Sequence, residues 1–235
     1  MGFPFFYIEE IEADELKLDE DTSKHVVSVL RMKAGEQLHL TDGKGNLLEA
    51  EITDAHKKKC AVKIIQKHFT PADDRKTIIG ISILKNTGRF EWFLEKAAEL
   101  GISEIIPMVC DRTEKEHFRY ERMKGILISA LLQSQQVWLP VLHQPVGFGQ
   151  LMRLEEMNRV EQRFIAHCLP QQKQSLAALV DRSKPAQAVL IGPEGDFTQE
   201  EVEFALAYHF VPVSLGNTRL RAETAGVVAA TILKV

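Results

Sequence analysis

Three segments of the chain combine glycine with charged or hydroxylated residues directly after an apolar run. They are LKNTGR (84–89) after IIGISI, IGPEGDF (191–197) closing AVLI, and LGNTRLRAETAG (215–226) after PVS. Glycine at the carboxyl end of a buried strand is wanted where the backbone itself must come close to something. Proline in the second segment fixes the shape of the turn before anything binds. The spacing is neither the G-x-G-x-x-G of a dinucleotide site nor the G-x-x-x-x-G-K-[ST] of a phosphate loop. GPEG alone fits a rigid strand-to-helix connection equally well; the nearby LGNTRLRAET shifts the balance toward a binding loop.

Other chemistries find less support. The eight histidines form no H-x-x-x-H or H-E-x-x-H pair, so no metal site is expected. Cys60, Cys110 and Cys168 lie too far apart for a zinc ribbon, and their odd number argues against a disulfide framework. All three read as buried, reduced thiols.

The elements that must carry these loops follow from periodicity. From Lys76 onward, largely apolar strands alternate with helices. The strands are IIGISIL, EIIPMV, RFIAH, AVLIG and PVSLG. The helices are RFEWFLEKAAELG with Gly101 at its end, residues 119–136, TQEEVEFALAYH with a capping box of Thr198 and Glu201, and RAETAGVVAATILKV. Trp92 and Phe93 read as core packing. This rhythm predicts an α/β unit with a mostly parallel sheet covered on both faces, whose ligands sit beyond the strands' carboxyl ends. Before it, PFFYI, EQLHL, LLEAEI and CAVKII alternate as short strands around a tight GKG turn, with one helix capped by Thr22 or Ser23; the pattern predicts a small barrel. TPADDRK (70–76) is the expected linker. The domains are therefore placed at 1–72 and 73–235.

With 45% hydrophobic and 26% charged residues, the 235-residue chain has an ordinary globular composition. Its net charge of −4 does not advertise nucleic-acid binding, but Arg112, Lys115, Arg119, Arg122 and Lys124 form a local basic run. That run suits either phosphate contacts or a solvated, ion-paired surface. No apolar stretch approaches the roughly 20 residues of a membrane span. The opening MGFPFFYIEEIEADE turns acidic at once, so a cytoplasmic protein is expected.

IGPEGDF and VSLGNTRLRAETAG closely resemble the paired C-terminal motifs of the RsmE family, small-subunit (16S) ribosomal RNA methyltransferases that act on uracil N3. RFEWFLEKAAELGISEIIP and HVVSVLRMKAGEQLHLTDGKG are similar to further blocks of that family, so the resemblance covers nearly the whole chain. It implies the SPOUT fold class, an α/β unit threaded into a trefoil knot that nothing in the composition suggests. It also implies an N-terminal PUA-like β-barrel that grips RNA, S-adenosylmethionine as the cofactor, no metal, and a homodimer. A non-catalytic RNA-binding or ribosome-assembly factor of the same fold is the alternative. The intact LGNTRLRAETAG speaks against it.

The resemblance assigns cofactor binding to the two loops, at Ile191, Gly192, Pro193, Glu194, Gly195, Leu215, Gly216, Leu220, Arg221, Thr224 and Ala225, and His167 at the end of RFIAH is a candidate beside them. An ordinary strand-end histidine and a helix-capping threonine are the alternatives at His167 and Thr224. Arg221 is also the candidate catalytic residue, its alternative being an ion pair with Glu223 or Glu194. Glu194 is expected to orient its own loop through the loop's amides. Candidate RNA contacts are Arg31, Lys85, Arg89, Arg112, Arg119, Arg122 and Arg219. Two departures stand out: Gln135 and Gln136 occupy a place where a basic residue is common, and Asp196 replaces the last glycine of GPEGG.

Overall fold

The computed structural model describes residues 3–11, 13–115 and 117–235. The chain divides into two compact units, Met1–Ala72 with Leu131–Leu139, and Asp73–Ala130 with Pro140–Val235.

The first unit is built on strands β1 (Phe5–Tyr7), β2 (Glu15–Lys17), β3 (Gln37–Thr41), β4 (Asn46–Asp54) and β5 (Ala61–Phe69). They pair in the order β1-β3-β4-β5-β2, an open half-barrel with β1 and β2 as its edges. Irregularities at Glu49/Ala50 and Ile52/Asp54 bend the long β4–β5 pair. Leu38, Leu40, Leu48, Ala50, Ile52 and Val62 alternate onto one buried face. The GKG turn is as read: Gly43 and Gly45 take φ +68 and +95, and Asp42 Oδ1 accepts the Lys44 amide at 2.8 Å. β2, ELK, escapes a sequence reading, because three residues with two exposed carry no apolar alternation.

Helix α1 (Glu20–Lys24) is capped by Asp19, whose Oδ1 accepts from Thr22 N, and not by Thr22 or Ser23. Ser23 is instead buried, donating to Leu18 O and accepting from Cys60 N. The helix passes into a π turn at His25–Val29, after which Arg31 adopts φ +57. Trp138, from the 131–139 segment, donates its indole N–H to Thr70 O and meets Phe69 edge-on.

The second unit contains β6 (Lys76–Ser82), α2 (Thr87–Glu99), β7 (Glu104–Val109), β8 (Val141–Leu142), β9 (Val146–Gly147), α4 (Phe148–Leu151), α5 (Glu155–Asn158), β10 (Gln162–Ala166), β11 (Gln174–Ser175), α6 (Leu176–Leu179), β12 (Ala186–Ile191), α7 (Gln199–Ala207), β13 (Val211–Ser214) and α8 (Ala222–Lys234). α3 (Tyr120–Gln133) begins in this unit. The strand order is β11-β13-β10-β12-β6-β7-β8, with β9 also on β7, and every pair is parallel. The five long strands are the ones the sequence announced. The two-residue strands and four-residue helices are too short to show a period.

Helix boundaries follow local chemistry. Asn86 caps α2 by accepting from Arg89 N, and Gly101 follows its end at φ +75. Phe93 is fully buried, but Trp92 is 43% exposed. Consecutive helical residues point about 100° apart, so both could not face the core. α7 carries the expected box, with Thr198 Oγ1 accepting from Glu201 N and Glu201 Oε2 from Thr198 N. α3 ends in a glycine-free Schellman turn: Gln135, at φ +54, donates to Leu132 O, and Gln136 to Leu131 O. Gln135 thus serves as a helix stop.

After β13 the chain crosses back over β10, and α8 packs on α2, β6, β12 and α6. Its buried residues are mostly small, Ala222, Gly226, Ala229 and Ala230, with Glu223 and Leu233. Among the described residues no helix is long and apolar enough to cross a membrane.

Candidate functional site

The carboxyl ends of β10, β12 and β13 open into a cavity of about 650 Å³. Its walls are the GPEGD turn after β12, the segment 214–222 between β13 and α8, and the loop that leaves β10 at His167. These are the two motifs the sequence singled out, brought together because β10 lies between β12 and β13.

Of the twelve residues expected to bind the cofactor, His167, Ile191, Gly192, Pro193, Glu194, Leu215, Gly216, Leu220, Arg221 and Ala225 line this cavity. Gly195 and Thr224 do not. Gly195 faces outward against the Arg112 side chain, and Thr224 lies within the first turn of α8. The two loops use glycine differently. Gly216 has φ +148, and a Cβ built there would meet nothing within 4 Å, so it would project into open space. Gly192 and Gly195 have ordinary φ, and a Cβ on Gly192 would stand 3.1 Å from Phe197. Backbone freedom is therefore a requirement at Gly216, and room for Phe197 a requirement at Gly192.

The GPEGDF turn is tied to three neighbouring strand ends. Glu194 Oε1 accepts the Lys85 amide beyond β6 at 3.1 Å; it does not bond its own loop's amides, as its sequence setting suggests. Arg112, beyond β7, donates to Gly195 O at 2.8 Å and Phe197 O at 3.4 Å. Asp196 accepts the Cys168 amide beyond β10 at 2.7 Å. Glu194 and Asp196 thus hold the turn against its neighbours.

His167 is buried at the cavity wall. Burial, and then the nearby Lys173 ammonium, push its pKa below the usual imidazole value. Lys173 Nζ donates to His167 O and Leu169 O at 2.7 and 2.8 Å and approaches His167 Nδ1 at 3.4 Å. Gln171 Nε2 stands 3.3 Å from His167 Nε2, so each ring nitrogen faces a neighbouring N–H donor. Sequence reasoning missed Lys173 and Asp196 as wall residues. A lysine inside an irregular loop carries no periodic signal, and Asp196 reads as an ordinary turn residue.

Arg221, the N-cap of α8, is exposed at the cavity edge and makes no ion pair among the described residues. Its expected partner Glu223 is buried and stands 3.6 Å from Arg89 Nε instead. Arg89 and Arg219 line the same cavity. Lys85 pairs with Glu114, and Arg122 forms two bonds with Glu91. Arg119 and Arg122 line a second hollow of about 310 Å³ beside the start of α2, with Lys115 and His117. Arg31 lies in the first unit, exposed just beyond the π turn. Cys168 is exposed, contrary to the reading of three buried thiols; Cys60 and Cys110 are buried.

The geometry suits a small-molecule ligand. The cavity is of the size that small-molecule sites occupy, and Gly216 leaves open the space a side chain would fill.

The family described as RNA methyltransferase domain matches residues 72–234, and that described as RNA methyltransferase PUA domain matches residues 18–65. A ribosomal RNA small subunit methyltransferase E of Synechocystis sp. is 32% identical over 207 residues; the match covers 86% of this chain and 66% of that protein's length. A crystal structure from Porphyromonas gingivalis, described as a probable rRNA-methyltransferase, is 33% identical with a TM-score of 0.89, covering 98% of both chains. The ribosomal RNA small subunit methyltransferase E of Neisseria gonorrhoeae, solved bound to S-adenosyl methionine, is 26% identical with a TM-score of 0.83, covering 97% of this chain and 95% of that one.

Proposed function

The chain belongs to the RNA methyltransferase family, and on that premise we propose that it methylates N3 of a specific uridine in small-subunit (16S) ribosomal RNA, using S-adenosylmethionine. The observation that carries the proposal is the cavity walled by the GPEGD and LGNTRLRA loops.

When bound, S-adenosylmethionine supplies an already activated methyl group. The chain's own part is to hold it along residues 191–196 and 214–225 and to align the base. The uracil imide nitrogen is protonated at neutral pH, so its proton must leave as the nitrogen attacks. Arg221, exposed at the cavity edge without an ion pair among the described residues, is the residue we assign to stabilising the uracil anion that develops. A target base paired in a duplex must be extruded to reach it. Residues 1–72 serve as the PUA-like RNA-binding domain and residues 73–235 as the SPOUT methyltransferase domain, with the knot that class implies. Arg31, Arg119 and Arg219 are exposed, without an ion pair among the described residues, and serve as RNA contacts.

The protein acts in the cytoplasm as a homodimer. Support for the dimer comes from Val227, Val228 and Ile232, half-buried outside the packed face of α8, and from the exposed Trp92 on neighbouring α2. A fully active species sedimenting at one chain mass, 26.6 kDa, would defeat the dimer. The reaction itself is tested by incubating the protein with radiolabelled S-adenosylmethionine and small subunits lacking the modification. Label in 3-methyluridine supports the proposal; label confined to cytidine or ribose methyl products overturns it.

A further inference from the structure

We infer that Asp196 is a positioning residue for the cofactor, a strap that locks two walls of the cavity together. It rests on the reading of the cavity as the S-adenosylmethionine site.

The two walls come from different places in the sheet. One is the GPEGD turn after β12; the other is the loop that starts at His167 after β10. Nothing in the parallel ladder fixes the distance between such loops once the strands have ended. Asp196 spans them. Its Oδ2 accepts the Cys168 amide at 2.7 Å, and its Oδ1 accepts the Phe197 amide at 2.9 Å, so both oxygens are engaged. The far wall is itself stiff, because Lys173 Nζ gathers the carbonyls of His167 and Leu169. Asp196 adopts φ +65, a left-handed conformation that costs most side chains energy and that aspartate tolerates comparatively well. A strained residue held by two charge-assisted bonds and lining a cavity is the arrangement expected of a device that sets the cavity's width.

Glycine adopts this φ freely and removes only the strap, while asparagine keeps the conformation and one acceptor oxygen. Asp196→Gly should therefore weaken S-adenosylmethionine binding about tenfold by calorimetry, the loss of a bond to a charged group, with Asp196→Asn recovering most of the deficit. A second readout needs no cofactor. Cys168 is the exposed cysteine, so its alkylation by iodoacetamide reports on the strapped loop. Alkylation should accelerate in Asp196→Gly and stay near the wild-type rate in Asp196→Asn. Equal affinity and equal alkylation rates in wild type and Asp196→Gly would overturn the inference. If wild type binds no S-adenosylmethionine, the cavity assignment fails and the positioning role falls with it. The alkylation rates then report only whether the strap itself exists.

Discussion

Gly226 offers a prediction in which two known effects oppose each other. It lies in the second turn of α8, and a Cβ built on it would stand 2.6 and 2.7 Å from Phe93 ring carbons and 3.2 Å from Ile81 Cδ1. Both neighbours are fully buried, and Phe93 also packs edge-on against Phe90, so the ring has no free direction in which to swing. Gly226→Ala gains about 1 kcal/mol of helix propensity. Forcing a methyl group into this contact costs about 1–3 kcal/mol. A contact this short between rigid partners places the cost at the upper end, leaving a net loss of about 1–2 kcal/mol. For a protein of this size that lowers Tm by roughly 2–8 °C. Differential scanning calorimetry measures it. α8 also carries Ala222 and Ala225 into the cavity wall, so cofactor affinity should fall with stability. In the double variant with Phe93→Leu the penalty should shrink by at least about 1 kcal/mol. A Tm that rises in Gly226→Ala would refute the reasoning, since propensity alone would then decide.

Gly216→Val should lower S-adenosylmethionine affinity on the order of tenfold or more with Tm little changed, because φ +148 is strained for a β-branched residue and the new side chain enters the open cavity; unchanged affinity by calorimetry would count against the site. Glu104 is nearly buried between His143 and Lys76, and its hydrogen bond to His143, helped by the Lys76 charge, holds its pKa below the usual 4.5 despite desolvation. A lowered carboxylate pKa contributes stability that is present above pH 4.5 and lost as pH falls through the folded value. Glu104→Gln should therefore be less stable at pH 7 and lose less on acidification, as urea denaturation across pH 3–7 would record, and parallel curves would contradict this. Arg119→Glu with Lys115→Glu should flatten the salt dependence of RNA binding, by roughly 0.7–0.9 in log–log slope for each phosphate that is no longer neutralised, and leave cofactor affinity alone. Arg112→Glu should weaken both, since Arg112 holds the Gly195 carbonyl; identical slopes in wild type and the double variant would remove the RNA role.

What is legible in the sequence divides along physical lines. β6, β7, β10, β12 and β13 can be read because buried parallel strands carry largely apolar runs, and α2 and α7 because caps and helical spacing announce them. The GPEGDF and LGNTRLRAETAG loops stand out because glycine and charge at a strand's end have few other uses. What stays hidden depends on long-range partners. Arg112 reads from its basic neighbours as an RNA contact and proves to bond loop carbonyls 83 and 85 residues away. Glu194 and Asp196 reach the amides of Lys85 and Cys168, pairings no local pattern encodes. Gln135 reads as a missing basic residue, whereas its left-handed backbone makes it a helix stop.

The central claim is that main-chain groups of two loops hold the cofactor. An amide chemical-shift map of the full chain, titrated with S-adenosylmethionine, tests it most directly. The largest shifts are expected on residues 191–197 and 214–225, with a smaller set at 167–173. Saturable binding whose shifts fall elsewhere, or no shift at cofactor concentrations that saturate related enzymes, would contradict it.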